Sequence, residues 1–207
     1  MSANTVIPAI AANPADETHG YYRRLQSAVE ELLIGKGLCT RDQIDAEVAA
    51  MVARTPARGA LVVARAWLDP AFKARLLREG TASCEEVLGP TVRPAHIIVV
   101  ENTPSLHNVI VCTLCSCYPR TVLGMPPTWY KSVEYRSRVV REPRKVLAEF
   151  GVIIPAAMAI RVHDSTADMR YMVLPARPAG TDGWTEARLV QLVSGESLVG
   201  VDVPRAV

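Results

Sequence analysis

The sequence predicts an α+β chain, a helical N-terminal arm followed by a mixed α/β body. Two observations carry this. Up to Gly89 the apolar residues recur at helical spacing, and beyond it short β-branched runs alternate with further helical stretches. No internal repeat and no low-complexity segment breaks the pattern. The expected divisions are residues 1–20, a flexible tail; 21–89, helical; and 90–207, the α/β body.

Residues 1–17 are rich in Ala, Asn and Pro and read as a tail or an arm that orders on a partner. Residues 21–36 form an amphipathic helix with Leu25, Val29, Leu32 and Leu33 at helical spacing, and Gly37 stops it. Thr40 is the expected N-cap of a second helix over 41–54 that turns Ile44, Val48 and Met51 inward. Two shorter helices follow at 58–67 and 70–79, the latter started by Asp69 as cap and Pro70 in the first turn. Residues 96–101 and 109–111 read as strands, the second ending at a group of cysteines. Helices are expected at 128–140 and at 143–150, where Gly151 closes the chain's turn. Residues 159–163 and 170–174 are strands, and 185–193 is a last helix.

A length of 207 residues suits one domain, and a 49% hydrophobic composition supplies its core. The net charge of +2 demands neither nucleic acid nor an anionic membrane as partner. The N-terminus has no basic stretch followed by a long apolar run, and apolar runs such as 96–100 are too short to span a bilayer. Five cysteines, an odd number, form no disulfide framework. A reducing, cytoplasmic setting is therefore expected, in which thiols serve as ligands or nucleophiles.

Three of those cysteines, Cys112, Cys115 and Cys117, fall within the stretch VCTLCSCYPR. A tight loop brings three such sulfurs to one side, where thiolates suit zinc, iron–sulfur clusters or transition ions. Structural zinc takes four ligands and a cubane wants four cysteines, yet no second pair exists and His107 lies across a strand. The amides of Ser116 and Cys117 can complete the set around a strongly Lewis-acidic trivalent ion. Three sulfurs and two nitrogens would leave one open position, the requirement for metal-ion catalysis. On spacing alone, an inert turn of buried cysteines or a partial zinc knuckle remains an equal alternative.

The stretch VCTLCSC at 111–117 resembles the metal-binding signature of the nitrile hydratase α-subunit family. The likeness continues through LGMPPTWYKS at 123–132, YRSRVVREPR at 135–144 and RPAGTDGW at 177–184, with ARAW at 64–67 and VENTP at 100–104 upstream. The resemblance spans nearly all of 21–203. It implies the layered α-β-β-α fold of that family, with 21–89 packing on a partner subunit and 90–207 holding the metal. It implies a non-corrin Co(III) ion, with Fe(III) as the alternative; Thr113 is similar to the cobalt class, whereas the iron class usually has serine there. The ligands would be Cys112, Cys115, Ser116 and Cys117. Cys115 would be oxidised to sulfinate and Cys117 to sulfenate, steps on the ordinary thiol oxidation ladder. The activity implied is that of a lyase hydrating a nitrile to its amide, in a hetero-oligomer with a β subunit (one chain or split into two) and with help from a metallochaperone. The family's β subunit supplies arginines that hold the oxidised sulfurs.

Two positions depart from the family pattern. A tryptophan usual three residues after the last cysteine is Arg120, and a glutamine usual nineteen residues before the first cysteine falls on Arg93. Arginine brings a cation and five donors, which suits an anion or a polar nitrile better than an aliphatic one. Cys117, Arg120 and Arg93 are thus the expected catalytic residues. The segment CSCYPR is similar to the catalytic γ subunit of thiocyanate hydrolase, so hydrolysis of thiocyanate to carbonyl sulfide and ammonia is the first alternative. A nucleoside-type nitrile such as toyocamycin fits the same residue, and pairing with a carboxylate at a subunit interface is its bland role. The nitrile reading is preferred because no long extension is apparent at either end. A non-catalytic metal-carrying subunit is the second alternative.

Other residues read as structural. The basic stretch from Lys131 to Lys145 is interleaved with Glu134 and Glu142 and suits a solvated or partner-facing helix, not nucleic acid. Within it, the resemblance makes Arg136 and Arg138 braces of the metal loop and of the subunit contact. His163, Asp164 and Ser165 are neighbours on a strand, point to alternate faces and form no hydrolase triad. His107 is expected as a core or interface histidine, Asp168 and Arg170 as structural, and Cys39 and Cys84 as small buried residues.

Overall fold

The computed structural model describes residues 15–90 and 96–206, and the chain falls into two units, Met1–Ala49 and Ala50–Val207. In the first unit, α1 (Ala15–Gly35) ends in a Schellman motif. The Gly37 amide donates to Ile34 O at 2.9 Å and the Leu38 amide to Leu33 O at 3.0 Å, with Gly37 at φ 67°. Thr40 then opens α2 (Arg41–Ala53) with a reciprocal capping box: Gln43 N donates to Thr40 Oγ1 at 3.2 Å and Thr40 N to Gln43 Oε1 at 2.9 Å. The inward face expected for this helix is not realised. No residue of α2 is buried, and Val48 is 53% exposed. A pair of helices has too little facing surface to enclose side chains of its own.

The second unit begins with α3 (Ala57–Leu68), α4 (Pro70–Arg78) and α5 (Gly80–Leu88). Asp69 caps α4 as expected, accepting from Phe72 N at 2.9 Å. Two strands follow, β1 (His96–Glu101) and β2 (Leu106–Val111), then α6 (Arg120–Leu123), a 3-10 turn (Thr128–Lys131), α7 (Val133–Arg138) and α8 (Pro143–Glu149). The chain closes with β3 (Ala159–Asp164), β4 (Met169–Leu174), α9 (Glu186–Val190) and α10 (Gly195–Val199).

Successive strands do not pair. β1 lies parallel to β4 with Val99 opposite Met172, and β2 parallel to β3 with Val111 opposite Asp164. α4 and α5 pack on β1, β4 meets β2, and α8 covers β3, so the order of layers is α-β-β-α and the class α+β, as expected. The core is dominated by fully buried Val109, Ile110, Val111, Met172 and Val173 between those layers. No helix among the described residues is long and apolar enough to cross a membrane.

Several elements differ from the sequence reading. β2 starts at Leu106, three residues early, because its polar residues His107 and Asn108 are buried and satisfied by a hydrogen-bond network that composition does not reveal. The helix expected over 128–140 breaks at Ser132, whose hydroxyl accepts from Tyr135 N at 3.1 Å and starts α7 afresh. α5, with a weak helical sequence, was not expected; tertiary contact holds it. Thr81 Oγ1 accepts from Ile97 N at 2.8 Å, and a Cβ on Gly80 would collide with the Ile97 carbonyl. α6 and α10 are too short for periodicity to register.

Candidate metal centre

β2 delivers the cysteine loop. Residues 109–112 are fully buried; the chain then leaves the sheet, exposes Thr113, Leu114 and Cys115, and returns to the core at Tyr118. The excursion gathers three sulfurs. Cys112 Sγ is 3.5 Å from Cys115 Sγ, which is 3.3 Å from Cys117 Sγ, and all three lie within 4.8 Å of one another. The Cys115 amide donates to Cys112 Sγ at 3.3 Å. The thiols of Cys117 and Cys112, then the amides of Ser116 and Cys117, turn toward the Cys115 sulfur and lower its pKa to about 7. Burial, with Cys115 alongside, pushes the Cys117 thiol up to about 12.

No histidine or carboxylate joins this group among the described residues. A zinc site would therefore lack its fourth side-chain ligand. Three converging sulfurs, with the Ser116 and Cys117 amides beside the Cys115 sulfur, fit a trivalent ion that takes main-chain nitrogens and keeps one position open.

The loop is held from below by side chains brought from other elements. Asp164, at the end of β3, accepts from Thr113 N at 2.9 Å and from Thr113 Oγ1 at 2.5 Å. Tyr130 donates its hydroxyl to Cys117 O at 2.9 Å, and Tyr135 donates to Ile110 O at 2.7 Å. Both phenols sit in an edge-on aromatic cluster with Trp129, and burial keeps them protonated donors. Ser165 N donates to Val111 O at 2.7 Å. Arg136 Nη1 donates to Cys115 O at 3.1 Å. Arg138 does not reach the loop: it is paired with Glu142 at 2.7 Å and Glu149 at 2.5 Å.

The sequence reading gives Tyr130 and Tyr135 no role at the loop, and it takes up Asp164 and Ser165 only as members of a triad it rejects. The signal that would have found Asp164 is the strand register, which sets it opposite Val111, one residue before the first cysteine. Arg170, read as structural, lies near enough for its charge to lower the Cys117 pKa against the other influences. Arg120 opens α6 directly after the loop, half-buried, and its guanidinium has no hydrogen bond or ion pair among the described residues. Arg93 falls outside the described residues. His163, Asp164 and Ser165 serve three separate partners: His163 Nε2 donates to Asn108 Oδ1 at 2.9 Å, Asp164 holds Thr113, and Ser165 Oγ accepts from Tyr171 N at 3.4 Å.

Comparison with known proteins agrees with this geometry. The family described as nitrile hydratase, alpha chain, matches residues 21–202. The low-molecular weight cobalt-containing nitrile hydratase subunit alpha of Rhodococcus rhodochrous is 50% identical over 178 residues, 86% of this chain and 86% of that one. Thiocyanate hydrolase subunit gamma of Thiobacillus thioparus is 41% identical over 203 residues, 93% of this chain and 84% of that one. Among solved structures, a doubly substituted Fe-type nitrile hydratase from Comamonas testosteroni Ni1 superposes with a TM-score of 0.82 at 46% identity, covering 90% of this chain and 92% of that one. A recombinant thiocyanate hydrolase with partially modified cobalt centres gives 0.82 at 42% identity, covering 88% and 89%.

Proposed function

Since the chain belongs to the nitrile hydratase α-chain family, we propose that it is the metal-holding catalytic subunit of a cobalt-type nitrile hydratase acting on a polar nitrile. The observation that carries this is the triangle of Cys112, Cys115 and Cys117 sulfurs, which no fourth side-chain ligand joins among the described residues. Cys112, Cys115, Ser116 and Cys117 would hold the ion, Co(III) before Fe(III), in keeping with Thr113 and with the cobalt-containing relatives. When bound, the ion supplies Lewis acidity that polarises a nitrile or a water.

The chain's own residues do the rest. Cys115 is carried as sulfinate and Cys117 as sulfenate. The Cys117 sulfenate oxygen attacks the nitrile carbon and is restored by water, or it takes a proton from a water that attacks instead. Solvent protonates the nitrogen, and the resulting imidic acid tautomerises to the amide. Arg120, whose guanidinium has no partner among the described residues, orients a polar substrate by its fork of donors, with Arg93 as a second contact. A β-type subunit, in one chain or two, completes a hetero-oligomer; the exposed apolar side chains of 21–89, among them Leu25 and Leu32, are where it docks. A metallochaperone loads the site.

The second reading is thiocyanate hydrolysis, favoured by Arg120 and by likeness to the γ subunit over 93% of the chain. Its pocket would hold the anion by the same guanidinium. Toyocamycin, a nucleoside-type nitrile, is the polar-nitrile candidate to assay first. The test is co-expression with a β-type partner, elemental analysis, intact mass and paired assays. Stoichiometric cobalt, three added oxygens and amide formation are expected. Zinc without oxidation overturns the reading, and carbonyl sulfide from thiocyanate without amide moves it to the alternative. Arg120→Trp is expected to shift preference toward apolar nitriles at least about tenfold in kcat/KM; an unchanged profile removes Arg120 from substrate recognition.

A further inference from the structure

We propose that Arg136 is the charge-compensating partner of the Ser116 nitrogen, acting through the carbonyl of Cys115; this rests on the reading of Ser116 as a metal ligand. The oxygen of Cys115 and the nitrogen of Ser116 belong to one peptide plane and share electrons by resonance. An amide nitrogen binds a metal as its anion, its proton having passed to solvent. The negative charge then spreads to the oxygen of the same plane. That oxygen is where Arg136 Nη1 donates, at 3.1 Å.

How the guanidinium is used elsewhere supports this role. Its remaining acceptors are main-chain carbonyls, Thr113 O at 3.5 Å and Ser132 O at 3.4 Å. No carboxylate pairs with it among the described residues. The contrast with Arg138, two residues on in the same helix, is direct, since that cation is neutralised by Glu142 and Glu149. α7 thus offers one arginine to its own fold and aims the other, uncompensated, at the loop. Tyr130 cannot substitute, because Cys117 O belongs to the plane of the Tyr118 nitrogen, which is not a ligand. Arg136 is half-buried and the Cys115 residue it meets is exposed, so what marks the bond is its charged donor. The residue is a positioning and tuning group and touches neither substrate nor ion.

The experiment uses the cobalt-loaded complex with its partner subunit, comparing the parent with Arg136→Met, Arg136→Gln, Arg136→Lys and, as a control for the helix, Arg138→Met. Two readouts are taken besides activity: the position of the thiolate-to-cobalt charge-transfer band, and the rate at which a chelator removes cobalt at fixed pH. Both neutral Arg136 variants are expected to shift the band and to lose cobalt about tenfold faster or more, the usual scale for groups that orient ligands. Arg136→Lys should recover part of both, and Arg138→Met neither. Either neutral variant that assembles decides the matter. A parent-like band and parent-like retention in it overturn the proposal, as does the same change in Arg138→Met. A parent complex that holds no stoichiometric metal overturns the reading of the site, and the proposal with it; a loaded parent with indifferent Arg136 variants overturns the proposal alone.

Discussion

Asp164 shows how one side chain can set a site it does not enter. Its carboxylate grips both the amide and the hydroxyl of Thr113, so the first residue after Cys112 is fixed in place by two bonds. Removing the carboxylate frees the loop while leaving the sulfurs in the chain. Asp164→Ala is expected to lower cobalt retention and activity by about 10- to 100-fold. Thr113→Val, which keeps the amide bond and loses the hydroxyl, should cost less, and the double variant should cost less than the sum of the two, as measured by chelator competition. His107 supplies a prediction of a different kind. Burial lowers its pKa below the ordinary 6.5, outweighing the Gly200 carbonyl that favours its protonated form. The unfolded chain therefore binds the proton more readily than the folded one. The stability this contributes is fully present above pH 6.5 and is lost as the pH falls below it. Thermal melting should drop between pH 7 and pH 5 by less in His107→Gln, referenced to each protein at pH 7, than in the parent.

At the scale of the element, short helices depend on what caps and what receives them. α4 starts on Asp69, and losing its bond to Phe72 N in Asp69→Ala is expected to cost about 1 kcal/mol, read by denaturant unfolding. α10 ends on Gly200 at φ 92°, pressed so closely on β2 that a Cβ there would collide with the Asn108 carbonyl. Gly200→Ala combines strain with that clash. It is expected to destabilise by about 2–3 kcal/mol or more, and to disturb the strand that delivers Cys112. The same close approach explains why α5 and α10 were illegible beforehand. Their residues adopt helix because a neighbouring strand accepts them, and neither propensity nor periodicity over five to nine residues carries that information. α1, α2 and α4, by contrast, announce themselves by Gly37, Thr40 and Asp69, since a cap acts within a few residues of its own position.

Across the whole molecule, a buried polar chain joins the two strand pairs. His163 donates to Asn108; Asn108 Nδ2 donates to Glu101 O at 2.7 Å and to Asn102 Oδ1 at 3.1 Å; and His107 Nε2 donates to Gly200 O at 2.7 Å. These bonds hold β1 beside β2 although the two strands share no ladder, and so fix where the loop leaves the core. The surface is less complete than the core. Leu114 is 88% exposed, Ile153 78% and Val133 66%. The chain expressed alone is expected to self-associate at micromolar concentration, and co-expression with a β-type subunit to suppress this, as followed by light scattering.

The sequence by itself determined the helical arm, the four strands, the cysteine loop and the family, because each rests on short-range pattern: caps, β-branched runs and a motif of seven residues at 111–117. It also singled out Arg120 as an unusual cation beside that motif. What only the tertiary structure decided is which distant side chains hold the loop. Asp164 becomes its neighbour through the pairing of β2 with β3 and Tyr130 through the 3-10 turn, while Arg136, a brace by the resemblance, reaches it at the Cys115 carbonyl. Those contacts join residues tens of positions apart, and their free energy arises from excluding water and satisfying buried polar groups, neither of which leaves a local trace in the chain.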